Sequence, residues 1–244
     1  MTPSLPSHGP YVSARGRARV TTILLIAGAV ISGLLIVAEI IQLAFPEFSG
    51  NEQELSDNPG GLLGLALYSL LTILGFVIFV ATAIVFLMWL HRVSSNLPAF
   101  GYWKSQGYSP GWAIGSFFVP FVNLAVPYQA IKDIWQKSRP ANSESFSLSN
   151  SPPAFFPAWW GFWLASNFAT NAHFRMMGHP GFREAALIIG IISELLSIAA
   201  AVFAIQVIRD IVKRQEKAIE HVRPNELFPV PPPPPTFGPV QPTA

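Results

Sequence analysis

Apolar residues in this chain are gathered into runs far longer than a soluble core needs, and polar positions mark where each run stops. Val20 to Phe45 is almost wholly apolar, broken only by Glu39 and Gln42. A helix rising ~1.5 Å per residue needs about 20 residues to cross the hydrocarbon layer. The run therefore predicts a first transmembrane helix over 19–45, behind a basic, proline-containing lead-in (1–18) expected to be disordered. It is too long for a secretory signal core of roughly 7–15 residues, and no small-residue cleavage pattern follows, so it is expected to remain as a signal anchor. Pro46 ends it. Asn58-Pro59-Gly60-Gly61 then turns the chain into the cleanest run, Leu62 to Leu90, predicting a span over 62–91 that stops at His91-Arg92. A third span is predicted over 154–172, entered through Trp159, Trp160 and Trp163, and a fourth over 185–208. Arg209, Lys213, Arg214 and Lys217 follow, where the last helix is expected to continue past the bilayer. The tail, 222–244, is proline-rich and reads as polyproline II or disordered.

The segment 110–137 fits none of these patterns. Trp112 to Ile131 is mostly apolar, yet Pro120, Asn123 and Pro127 interrupt it. Each proline removes a backbone donor and opposes a straight helix, and in lipid the freed carbonyls need other partners. Its second half is two-faced, with Leu124, Ile131, Ile134 and Trp135 opposite Gln129, Lys132, Asp133, Gln136 and Lys137. A re-entrant or interfacial element suits this better than a crossing. In that role, Pro120, Asn123 and Pro127 would shape the broken segment.

The basic residues decide between four spans and five. With the broken segment kept on one side, every one of the 15 Lys and Arg residues except Arg175 and Arg183 falls inside, as the positive-inside tendency requires. If the segment crossed, Lys132, Lys137, Arg139 and the five basic residues after the last span would move outside, and the bias would vanish. Four spans with both termini cytoplasmic follow, in the plasma membrane. The loop 46–60, with Glu47, Glu52, Glu54 and Asp57 and no basic residue, agrees with an outside position.

Composition sharpens the class. Hydrophobic residues make up 51% of the 244 positions and charged residues only 11%, against roughly 25% charged in a soluble domain. The expected fold is all-α: an integral membrane helical bundle of four transmembrane helices plus one proline-broken re-entrant or interfacial helix. The implied partners are the lipid bilayer and a protein partner or a second copy of the chain. A net charge of +2 gives no field that would attract nucleic acid. Cysteine is absent, which removes disulfides, thiolate metal sites and cysteine nucleophiles.

Candidate chemistry is sparse. Glu39 and Glu194 fall inside predicted spans, where a charge costs roughly 2.5–3.5 kcal/mol on the insertion scale. Asn167 and Asn171, four residues apart on the third span, are possible partners at similar depth, as are Gln42, Tyr68, Ser69 and Thr72. Together, Glu39, Glu194, Asn167 and Asn171 form a candidate intramembrane polar site for a proton, a cation or a small ligand. The structural alternative is hydrogen-bond glue between helices, worth about 0.6 kcal/mol per contact. Gly161, Ala165 and Ala169 make a small-residue ridge suited to helix packing, and the Trp159, Trp160 and Trp163 group suits interface anchoring. His173, Arg175, His179 and Arg183 lack the carboxylates and spacing of a metal site, so no metal and no cofactor is expected. No P-loop, nucleophile elbow, H-E-x-x-H or paired-carboxylate motif is present, and no catalytic residue is assigned.

The central pieces come in a distinctive order: Trp89-Leu90-His91-Arg92, then Ser109-Pro110-Gly111-Trp112-Ala113-Ile114-Gly115, then Val119-Pro120-Phe121-Val122-Asn123-Leu124, then Pro127-Tyr128-Gln129-Ala130. With Trp159-Trp160-Gly161-Phe162-Trp163 and a last span ending in basic residues, the stretch 62–215 resembles the domain of unknown function DUF4328. The resemblance implies a bacterial membrane protein of actinobacterial type and carries no activity. His91 departs from its pattern, where an arginine is expected. The first reading of function is therefore a membrane-embedded scaffold or partner-binding protein. The alternative is a small transporter, channel or ligand sensor built on the intramembrane polar site.

Overall fold

The computed structural model describes residues 10–45, 59–102, 107–141 and 151–222. The acidic loop, Lys104, most of the N-terminal lead-in and the proline-rich tail from Arg223 lie outside the described residues. Among those described, every regular element is helical: α1 (Arg15–Ala44), α2 (Pro59–Ser95), α3 (Pro110–Gly115), α4 (Val126–Lys137), α5 (Phe155–Met177) and α6 (Arg183–Val222). Short 3-10 turns at Leu97–Phe100, Val122–Leu124 and Pro180–Phe182 join them. Three helices, α1, α2 and α6, are long and apolar enough to cross a membrane. α5, expected as the third crossing, is not among them: Ser166, Asn167, Asn171, His173 and Arg175 dilute its apolar run.

The long helices pack as a row, α2 on α1, α1 on α6 and α6 on α5. Small residues set the spacing. On α6 the buried stripe Ala186, Gly190, Ser193, Ala200, Ala204, Val207 and Ile211 recurs at helical spacing and faces its neighbours with little bulk. Between α1 and α2, a Cβ added at Gly75 would come within 3.3 Å of Ile31. Gly161, by contrast, faces open space, so that glycine is not a point of close approach between α5 and α6. Phe162 stacks on Phe203 there instead, with ring centroids 5.6 Å apart.

One end of the row, here called the base, is tied by buried polar bonds. Asn96 Nδ2 donates to Gln215 Oε1 at 3.0 Å and to the Val12 carbonyl at 3.0 Å. Gln215 Nε2 donates to the Val93 carbonyl at 2.8 Å and to Ser138 Oγ at 3.2 Å. Trp135 Nε1 donates to Asp210 at 2.5 Å, and the Arg214 guanidinium lies over the Trp135 ring at 3.9 Å. The entry to α1, the end of α2, the end of α4 and the late part of α6 therefore meet at the base. Phe156, at the start of α5, joins them through a ring contact with Trp135.

The broken segment is a hairpin of α3 and α4 lodged between α2 and α5. Ser109 Oγ caps α3 by accepting from Trp112 N at 3.1 Å, and Pro110 and Pro127 open their helices, where a missing N–H costs nothing. Trp159 and Trp160, expected at a lipid interface, are buried. Trp160 Nε1 donates to the Leu124 carbonyl at 2.9 Å, so the tryptophan group braces the hairpin.

Candidate functional site

In the half of the row remote from the base, α1, α2, α5 and α6 bring polar side chains together. Ile31, Leu35 and Glu39 lie on one stripe of α1, and all three are buried against the bundle, which carries the Glu39 carboxyl inward to 2% exposure. It lies over Gly190 of α6, where a Cβ would collide with both the Glu39 carboxylate and the His173 ring. Only glycine leaves that groove open. Tyr68 of α2 hydrogen-bonds the Glu39 side chain. One turn further along α6, Glu194 hydrogen-bonds Ser32, which is two turns back on α1.

His173 comes from the end of α5 and is 5% exposed. Its Nδ1 lies 2.8 Å from the Ala186 carbonyl. A carbonyl only accepts, so Nδ1 is the donor and carries a proton. Ala186 is one turn before Gly190, and the missing side chain at Gly190 is what lets the ring reach that carbonyl. His173 and Glu194 also interact electrostatically, as do Glu39 and Glu194. Two carboxyl groups and an imidazole thus share one enclosure, with Tyr68 and Ser32 as hydroxyl partners. Glu39 Oε2 is buried with no hydrogen-bond partner among the described residues.

This arrangement can exchange a proton or hold a small charged group, because an ionised carboxylate buried with an unpartnered oxygen is a costly state. Among the described residues no cluster of three or more His, Asp or Glu has metal-binding geometry.

Of the four residues expected to form the polar site, Glu39 and Glu194 meet here. Asn167 and Asn171 do not join them. Both are exposed, and each bonds its own helix one turn back, Asn167 Nδ2 to the Trp163 carbonyl at 2.6 Å and Asn171 Nδ2 to the Asn167 carbonyl at 3.0 Å. Tyr68 takes part while Ser69 points outward. Thr72 bonds the Tyr68 carbonyl at 2.9 Å within its own helix. The expected third span, 154–172, stops one residue short of His173, but α5 runs on to Met177 and carries it into the bundle. Ser32 and Gly190 were not foreseen. The signal available for them was spacing: Ser32 and Glu39 are seven residues apart on one helix face, Gly190 and Glu194 four apart on another. Of the shaping residues, Pro120 is exposed at the hairpin tip, Asn123 half-buried beside it, and Pro127 buried at the start of α4.

The model of the family described as a domain of unknown function (DUF4328) matches residues 63–213. No curated protein and no solved structure matches the chain.

Proposed function

The chain belongs to the DUF4328 family, and since that name carries no activity, we propose from the site itself that it is a proton-responsive membrane sensor. In this reading four helices cross the bilayer, α5 among them, and the Glu39, Glu194 and His173 enclosure lies in the outer half. Supporting the crossing of α5 is its partnership with α6: it runs alongside that helix, buries Phe156, Ser166 and His173 against the bundle, and starts at the base. Bundle contacts relieve the cost of its polar positions. Supporting a cytoplasmic base is its basic surroundings, with Arg15, Arg17, Arg19, Arg92, Lys132, Lys213 and Lys217 there and Arg175 and Arg183 at the other end.

The observation that carries the sensor reading is the buried Glu39 carboxyl, with an unpartnered oxygen and a second carboxyl and an imidazole for neighbours. Gain or loss of one proton changes which of these groups repel, and the helices bearing them must answer. A transporter or channel would need a continuous polar path, and the enclosure is bounded by the apolar stripes of α1 and α6. The scaffold reading draws on a different feature, the helical extension of α6 past Arg209 to Val222, with Lys213 and Lys217 exposed on it.

The test is tryptophan fluorescence of the protein in lipid nanodiscs, titrated from roughly pH 4 to roughly pH 9, which brackets ordinary carboxyl and imidazole titration. The wild type is expected to show a reversible transition that Glu39→Gln and Glu194→Gln each abolish while leaving the folded state intact. An unchanged titration in both variants would remove the sensor reading.

A further inference from the structure

The hairpin tip between α3 and α4 presents a surface that the rest of the fold leaves uncovered. Phe118 is 70% exposed and Phe121 85%, with Val119, Leu124 and Trp112 also exposed beside them. Phe121 is the only non-glycine residue among those described with a positive φ, 64°, a conformation unfavourable for a side-chain-bearing residue. In water so apolar a tip would be a liability.

Much of its backbone is hydrogen-bonded within the protein. The Phe118, Val122, Asn123, Leu124 and Ala125 amides donate in turn to the carbonyls of Gly115, Pro120, Val119, Phe121 and Val122, at 2.8–3.2 Å. The Leu124 carbonyl accepts from Trp160 Nε1. Irregular backbone at membrane depth needs its polar groups met from within the protein, and these bonds meet five amides of the tip and the Leu124 carbonyl.

The level of the tip can be read from its neighbours. The Phe117 ring packs on Phe86 of α2 at 6.0 Å and on Trp160 and Trp163 of α5 at 6.2 and 6.4 Å. Phe86 lies about six residues before Arg92, and Trp163 about eight after Phe155, which puts the tip ~9–12 Å above the base at ~1.5 Å per residue. Both roots stay at the base. Tyr108 Oη donates to Gln129 at 2.7 Å, Gly107 N donates to Asp133 at 3.2 Å, and Lys137 pairs with Asp133 at 2.5 Å. The exposed tip side chains continue the exposed apolar surface of α2, where Val80, Ile84 and Met88 lie at a similar height.

We infer that residues 116–125 form a re-entrant wedge inserted among the acyl chains of the leaflet nearest the base, with Phe118 and Phe121 in direct contact with lipid. The wedge enters and leaves from the same side and occupies the space between α2 and α5. This rests on α1, α2 and α6 crossing a bilayer and is independent of the proton site.

The absence of native cysteine makes the test direct. Phe118→Cys and Phe121→Cys, each carrying a nitroxide spin label, are reconstituted into vesicles of phosphatidylcholine and phosphatidylglycerol. Collision with dissolved oxygen, which partitions into lipid, is compared with collision with a water-soluble nickel chelate. Phe79→Cys on α2 is the lipid-facing reference and Lys213→Cys the aqueous one. Both tip labels are expected to match Phe79→Cys, with oxygen collisions dominant. A second measurement adds Phe121→Asp to the Phe118→Cys protein, and the label is expected to shift toward nickel accessibility while Phe79→Cys does not move. Tip labels that already resemble Lys213→Cys would mean a hairpin lying in water at the surface. Labels shielded from both reagents would mean a protein cover, such as a second copy. Either result overturns the wedge.

Discussion

At the scale of single residues the enclosure depends on an absence, the side chain that Gly190 does not have. Gly190→Ala forces a methyl group into the space of the Glu39 carboxylate and the His173 ring. The expected cost is about 2 kcal/mol, within the usual range for overpacking. It should appear as a lowered midpoint in detergent unfolding followed by helical signal. Pairing it with Glu39→Ala should recover a large part of that loss, since neighbours in contact are not additive. Full additivity would mean that the two residues do not meet. The acidic members of this group were legible in the sequence because a carboxyl within an apolar run demands a partner. The identity of the partners was not. Asn167 and Asn171 share a face, but that face is turned away from α6, and no single-helix pattern states which face the bundle will take.

Elements were legible wherever hydrophobic runs were long, and less so at their ends. α1 begins at Arg15, so Arg15 and Arg17, in the stretch 1–18 expected to be disordered, are helical. There Arg17 donates to the Met88 carbonyl at 2.8 Å, and Arg15 pairs with Glu216. Such reach across the bundle has no trace in local periodicity. The sequence pattern likewise ends the helix carrying His173 too early, because polar residues that the bundle covers look like the start of a loop. The proline-broken segment was recognised as irregular, yet its closure against Trp160 depends on a residue about 36 positions away in the chain. The same holds for the polar tie at the base. Gln215→Leu would leave Asn96 and the Val93 carbonyl without their partner in a buried setting. A loss of about 1–3 kcal/mol is expected, read as a drop in thermal midpoint, with the loss absent if water replaces the side chain without penalty.

Considered whole, the molecule is a row of helices whose open side is filled at one end by the hairpin. The even number of crossings proposed above places Lys132 of α4 on the same side as Lys213 of α6, opposite Phe182 in the turn before α6. With single cysteines at these three positions, a membrane-impermeant maleimide applied to intact cells should label Phe182→Cys alone. All three should react after permeabilisation. Labelling of Lys132→Cys in intact cells would require the hairpin to cross. Charge asymmetry is the sequence signal behind this proposed arrangement. The order α2, α1, α6, α5 was not readable, since it is set by small residues on α6 and α2 that composition does not distinguish from filler.

α6 runs unbroken for 40 residues, about 60 Å at the usual helical rise and roughly twice the depth of the hydrocarbon layer. Gly190 sits near one end and Gln215 about 37 Å away near the other. A rod of that length is a lever arm. Pivoted at the glycine by a tilt of about 3°, it would sweep Gln215 sideways by about 2 Å, the scale of helix shifts that switch subunit interfaces in other proteins.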